Sequence, residues 1–181
     1  LLAYYLKDAD PLHKVTIIPH GQALGLTMQL PEDDKYSWSK KENVARIKVL
    51  LGGYIAEKMF YGDDGTTTGV SNDLMRAKQI AEKMVKDYGM GDMGPLYFGK
   101  KQPYATRGSD ASDASKGKFD AAVTSIINAA LAESEKLLNE KREHIVVLAN
   151  MLMVQKTVLA SELEGMFSIL DVYFEDPQEN T

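Results

Sequence analysis

The sequence predicts a mainly α chain with a small early β-sheet and a C-terminal helical bundle. Three observations carry that prediction. Apolar residues recur at three- and four-residue steps after Ser39, through Thr66–Met90 and from Phe119 onward, the signature of amphipathic helices. Ser39 with Glu42 and Ser161 with Glu164 have the S-x-x-E spacing of a helix-opening capping box. Only one early region, His13–Leu30, combines a β-branched run with turn residues in the manner of paired strands.

The elements follow in order. LLAYYL reads as the last turns of a helix, which Asp8–Pro11 ends, because proline lacks the N–H a helix needs. A chain that starts on Leu, with no cap before the helix, is expected to be a fragment of something longer. His13–Ile18 is a strand, Pro19–Gln22 a turn and Ala23–Leu30 a second strand. Gly25 within it permits a bulge or a close backbone approach, and the following Pro31 suits a sheet edge. Such an edge can accept an extended peptide by strand addition. After a polar loop to Trp38, the Ser39 helix places Val44, Ile47, Leu50, Leu51, Ile55, Met59 and Phe60 on one side. Gly52 and Gly53 in its middle cost about 1 kcal/mol each relative to alanine, which predicts a close-packed backbone there.

Thr66–Met90 is a glycine-containing turn running into a helix. Ser71 or Asn72 can cap it. Leu74, Ala77, Ile80, Ala81, Met84, Val85 and Tyr88 form its apolar face, and Gly89 closes it. Gly91–Ser115 reads as a long irregular connection. Phe119–Asn139 and Glu140–Val154 are consecutive helices. Thr157–Phe167 is a short final helix, and the polar tail from Glu175 is frayed.

Composition sets the limits. The 181 residues suit one domain, or one domain with an appendage, and can bury a substantial core. The net charge of -5 gives no basic excess and argues against a nucleic-acid partner. The absence of Cys excludes disulfides, thiolate nucleophiles and thiolate metal sites. No apolar run reaches the length that spans a bilayer, and no signal-peptide pattern is visible.

Among candidate chemical groups, Asp73 sits in a first helical turn, where the macrodipole favours a negative charge. A carboxylate so placed is a usable metal ligand, although a cap or dipole partner is the commoner role. Glu57 lies one turn beyond Gly53 and could orient a ligand or form a surface ion pair. His13 and His20 are seven residues apart, without the i, i+4 helical spacing of a good metal pair. They read as surface or structural residues, and His144 as a helix-surface residue.

The words of the sequence are more specific than its periodicities. HKVTIIPHGQALGLTMQLPEDDKY, LLGGYIAEKMFYG, TTTGVSNDL and MVKDYGM resemble, in order and spacing, the peptidase domain of FtsH-type AAA+ zinc metalloproteases. That resemblance covers residues 1–99, and the later helices resemble the family's C-terminal bundle more loosely. It implies a helical metalloprotease domain whose core is 1–99, an irregular connection at 100–118 and a C-terminal helical portion at 119–181. It also implies Zn as cofactor, with Asp73 of the SNDL motif as one protein ligand. The other two ligands and the general-base Glu would come from a His-Glu-x-x-His helix, a motif this sequence lacks and whose expected place is immediately before Leu1. Strand Ala23–Leu30 resembles the edge along which substrate lies. Two departures stand out: GGYIAEK has Tyr54 and Lys58 where the family has Arg and a second Glu, and His20 stands where Arg is common. Glu57 matches the first Glu and is carried as a supporting residue.

The resemblance further implies a membrane-anchored full-length protein with the peptidase domain on the cytoplasmic side or its organelle equivalent. It implies a homo-hexamer or a ring of related subunits, an AAA+ ATPase domain in the same full-length chain, and unfolded polypeptides as substrates. No GxxxxGK[ST] loop occurs here, so ATP would bind elsewhere in such a chain. Two competing readings are a non-catalytic relative that keeps the fold as a scaffold module, and a generic helical interaction domain.

Overall fold

The computed structural model describes residues 1–21, 24–30, 36–92, 94 and 113–175. The chain forms two compact units. The first contains Leu1, residues 3–35 and residues 138–181; the second contains Leu2 and residues 36–137.

In the first unit a short helix α1 (Leu2–Tyr5, with Leu2 itself grouping with the second unit) is followed by strands β1 (Leu12–Thr16) and β2 (Leu26–Gln29). They pair antiparallel, with Thr16 opposite Leu26 and an irregularity between Leu12 and Lys14. Gly25 is a close approach, as its position predicts: a Cβ there would stand 2.9 Å from the carbonyl oxygen of Thr16. The sheet is not confined to the early chain. Strand β3 (Thr157–Leu159) pairs with the other side of β1, giving the order β2-β1-β3.

Thr157–Leu159 was expected to open a helix and is instead a strand, for a local reason. Helix α5 (Arg142–Gln155) stops at Lys156, which adopts the left-handed conformation at φ 66°. That turn points the Lys156 carbonyl at β1, where it accepts from the Ile17 N–H at 2.9 Å and the Thr16 hydroxyl at 3.1 Å. The Thr16 and Thr157 hydroxyls meet at 2.8 Å. Helix α6 (Ala160–Glu175) then starts before the predicted Ser161 box, with Glu162 Oε2 accepting from the Leu159 N–H at 2.8 Å. Val158, Leu163 and Phe167 are fully buried and Leu152 nearly so, and Tyr4, Val15 and Leu148 pack around them.

A polar knot closes this core. Asp171 Oδ1 accepts from Tyr5 Oη at 2.8 Å and Lys141 Nζ at 2.7 Å, and lies 3.0 Å from His144 Nε2. His144 is therefore not the helix-surface residue its sequence context predicts. It is 1% exposed, and its ring stacks among Tyr5, Phe167 and Phe174. Desolvation acts to raise the Asp171 carboxyl. Hydrogen bonds from Lys141, Tyr5 and His144, with the Lys141 charge, outweigh it and hold the group below its ordinary range.

The second unit holds helix α2 (Lys40–Tyr61), helix α3 (Ser71–Lys86) and helix α4 (Asp113–Glu140) as far as Leu137. The Ser39 capping box forms in full: Ser39 N–H donates to Glu42 at 2.7 Å and Glu42 N–H to Ser39 Oγ at 3.3 Å. Ile47, Leu51 and Ile55 from α2, Ala77, Ala81, Met84 and Val85 from α3, and Ala122, Val123 and Ala130 from α4 are buried. Leu74 and Tyr88, predicted on the apolar face of α3, are exposed at its two ends. Gly89 closes α3 as predicted, left-handed at φ 62°, with Met90 N–H donating 2.7 Å back to the Met84 carbonyl. At Gly52 and Gly53 the close neighbours are side chains, not a backbone: added Cβ atoms would lie 3.1 Å from Leu2 Cδ1 and 3.8 Å from Val70 Cγ1. The predicted irregular connection falls largely outside the described residues, and α4 is already helical at Asp113.

Candidate metal centre

The segment from α2 to α3 is short and held at both ends by consecutive α2 residues. Gly62 turns the chain out of the helix at φ 77°, its N–H still bonded to the Lys58 carbonyl at 3.0 Å. A 3₁₀ turn, Asp63–Gly65, follows. Lys58 Nζ lies 3.5 Å from Asp63 and 3.9 Å from Glu135. The charge and hydrogen bond of Asp63, then Tyr54 and Glu135, hold the Lys58 ammonium above its usual range. The Lys found where a second Glu was expected thus makes its own ion pairs in this unit.

Glu57 holds the other end. Its Oε2 accepts from the Thr67 N–H at 2.7 Å and its Oε1 from the Thr67 hydroxyl at 3.0 Å. With its proton turned to Glu57, the Thr67 hydroxyl offers a lone pair to the Gly69 N–H at 3.2 Å. That bond caps the 3₁₀ turn Thr68–Val70, which runs directly into α3. Val70 occupies the N-cap position and makes no side-chain cap. Neither Ser71 nor Asn72 caps the helix as predicted, because the preceding 3₁₀ turn already makes both helical.

Asp73 is the third residue of α3, in its first turn, and half-buried. Among the described residues, no hydrogen bond or ion pair occupies its carboxylate. An uncommitted carboxylate at the positive end of a helix fits one oxygen-donor position of a zinc site. Both Glu57 oxygens accept from Thr67, which ties this carboxylate to the loop. Among the described residues no three His, Asp or Glu side chains gather as a complete metal set. His13 and His20 are exposed in the first unit and His144 is buried in it. The sequence reading of Glu57 as a supporting residue left its partner, Thr67, unassigned. The only signal was a run of three threonines before a glycine.

Comparison with known proteins fixes the family. The family model described as Peptidase family M41 matches residues 1–166. A protein named ATP-dependent zinc metalloprotease FtsH from Acidobacterium capsulatum is 41% identical over 90% of this chain and 26% of its own length. One named ATP-dependent zinc metalloprotease YME1 homolog, from Caenorhabditis elegans, is 37% identical over 93% of this chain and 24% of its own. The rice protein named ATP-dependent zinc metalloprotease FTSH 9, chloroplastic/mitochondrial, is 36% identical over 98% of this chain and 21% of its own. This chain thus spans about a quarter of the length of the curated relatives it matches. With a match from Leu1 through the SNDL motif and on into α6, the chain belongs to peptidase family M41.

Proposed function

We propose that this chain is the peptidase portion of a membrane-anchored, ATP-dependent zinc metalloprotease, with Asp73 as a zinc ligand. The single observation behind the assignment is the Asp73 carboxylate itself: uncommitted, and fixed in the first turn of α3 by a pinned loop, in a chain of family M41. When bound, zinc supplies an activated water and polarises the scissile carbonyl. The residues of this chain hold and orient. Asp73 would hold the metal through its carboxylate, and Glu57 would steady the loop that leads into its helix. The two His ligands and the general-base Glu belong to a His-Glu-x-x-His helix elsewhere in the full-length protein.

Substrate binding is assigned to β2. In the order β2-β1-β3 that strand pairs, among the described residues, with β1 on one side only. An unfolded polypeptide laid along the other side would be held through backbone N–H and C=O groups. That mode reads little sequence, which suits degradation of unfolded or membrane proteins. Residues 1–99 form the core of the peptidase, 100–118 a connection and 119–181 its C-terminal helical part. In the full-length protein an AAA+ ATPase domain delivers substrate within a hexamer, on the cytoplasmic side or its organelle equivalent. The names of the relatives favour a protease over a non-catalytic scaffold.

In the full-length protein, Asp73→Ala is expected to abolish degradation of an unfolded polypeptide while ATP hydrolysis and helical content stay near wild type. Full proteolysis by that variant with stoichiometric zinc would refute the assignment.

A further inference from the structure

We propose that Thr67, gripped by Glu57, is a positioning residue that sets where the Asp73 carboxylate stands. This rests on the reading of Asp73 as a metal ligand, and adds to it the device that places the ligand.

A helix start is usually fixed by a side chain that accepts from its first N–H groups. Here Val70 holds the N-cap position and offers none. The start of α3 is fixed one step earlier, by the 3₁₀ turn Thr68–Val70, whose Thr68 carbonyl accepts from the Ser71 N–H. That turn is in turn capped by the Thr67 hydroxyl at the Gly69 N–H. Thr67 is held by its backbone N–H and its hydroxyl together, on the two oxygens of a single carboxylate. Two bonds to one planar group fix orientation as well as distance. The chain of contacts is therefore Glu57 to Thr67, Thr67 to the turn, and the turn to the helix that carries Asp73.

Two further observations fit this device. Gly69 leaves room for it: a Cβ there would press on Thr67 Oγ1 at 3.1 Å and stand 4.0 Å from Glu57 Oε1. Val70 lies over Gly53, where a Cβ would be 3.8 Å away, so the turn also seats on α2 one helical turn before Glu57. A metal ligand displaced by a fraction of an ångström loses much of its affinity, and groups that orient ligands are typically worth ten- to a hundredfold in metal binding. Threonine is suited to the task, because its hydroxyl donates to one partner while accepting from another. Serine keeps that capacity and valine keeps only the shape.

The test measures zinc affinity of the full-length protein by competition with a chromophoric chelator, alongside thermal unfolding of the zinc-free form. Thr67→Val is expected to weaken zinc binding about ten- to a hundredfold with the zinc-free midpoint unchanged. Thr67→Ser is expected to restore affinity to near wild type. In a double-mutant cycle, Glu57→Gln combined with Thr67→Val is expected to be no worse than the weaker single variant, because both cut the same brace. Wild-type zinc affinity in Thr67→Val overturns the proposal, as do equal losses in the Val and Ser variants or fully additive losses in the cycle. Should Thr67→Val lower the zinc-free midpoint, Gly69→Ala decides, with the same loss of affinity expected and wild-type affinity overturning it. Asp73→Ala separates the two claims. If it keeps zinc, the ligand reading fails; if it loses zinc while Thr67→Val does not, only the brace fails.

Discussion

Asp171 gathers three partners on one oxygen, and the physics of that arrangement is testable at a single atom. The carboxylate is 27% exposed, whereas the His144 side chain beside it is 2% exposed and that of Lys141 12%. Replacing it by Asn removes the charged acceptor that Tyr5, Lys141 and His144 share, which costs about 2 kcal/mol. Amide-exchange protection of α5 and α6 in the full-length protein is expected to fall by that amount at neutral pH in Asp171→Asn. The folded-state pKa of Asp171 lies below the ordinary carboxylate value. Its stabilisation is therefore complete above that ordinary value and is lost as pH falls through the lower folded one. The wild type is expected to lose protection across that acid window and the Asn variant to show no such loss. Unchanged protection in the variant would show that the knot contributes nothing.

The same residue shows what sequence gives and withholds at this scale. Asp73 was legible as a candidate because helix position and a short motif both mark it. The Asp171–His144 contact was not, because 27 positions separate the two and no periodicity announces a pair brought together by tertiary packing. Glu57 stands out in the sequence as a candidate supporting residue, but the bond it makes does not, since a Thr ten residues away carries no signal of it.

Among the elements, the helices were read well, because amphipathic spacing and capping chemistry are local properties. The Ser39 box and the Gly89 closure form as expected, whereas neither Ser71 nor Asn72 caps α3 and α6 starts before Ser161. Strand β3 was missed because three residues are too few for a period, and what makes them a strand is the distant β1. Its cause lies at Lys156, a non-glycine residue at φ 66°. Left-handed backbone costs a β-branched side chain the most. Lys156→Val is expected to destabilise the α5–β3 junction by about 1–2 kcal/mol. Amide exchange at Ile17, whose N–H bonds the Lys156 carbonyl, checks this directly. Unaltered exchange there would mean that the left-handed turn does not hold β3 to the sheet.

For the whole molecule, fold class and family were legible from different features of the chain. Helix periodicity gave the mainly α architecture, and the order of four short segments gave the family that the comparison then matched over residues 1–166. Membership does not follow from composition, which is that of any ordinary globular chain. The matched relatives are about four times as long as this chain, and the proposed catalysis needs groups that this chain lacks, so its decisive tests use the full-length protein.

The most direct test is the zinc content of full-length protein carrying Asp73→Asn, measured after dialysis beside the wild type. The exchange keeps size and helix position but replaces an anionic oxygen donor with a neutral one. Near-stoichiometric zinc in the wild type and its loss in the variant, with helical content unchanged, is the result predicted here. Equal zinc in both would contradict the assignment of Asp73 and remove the basis for the metal centre in this chain.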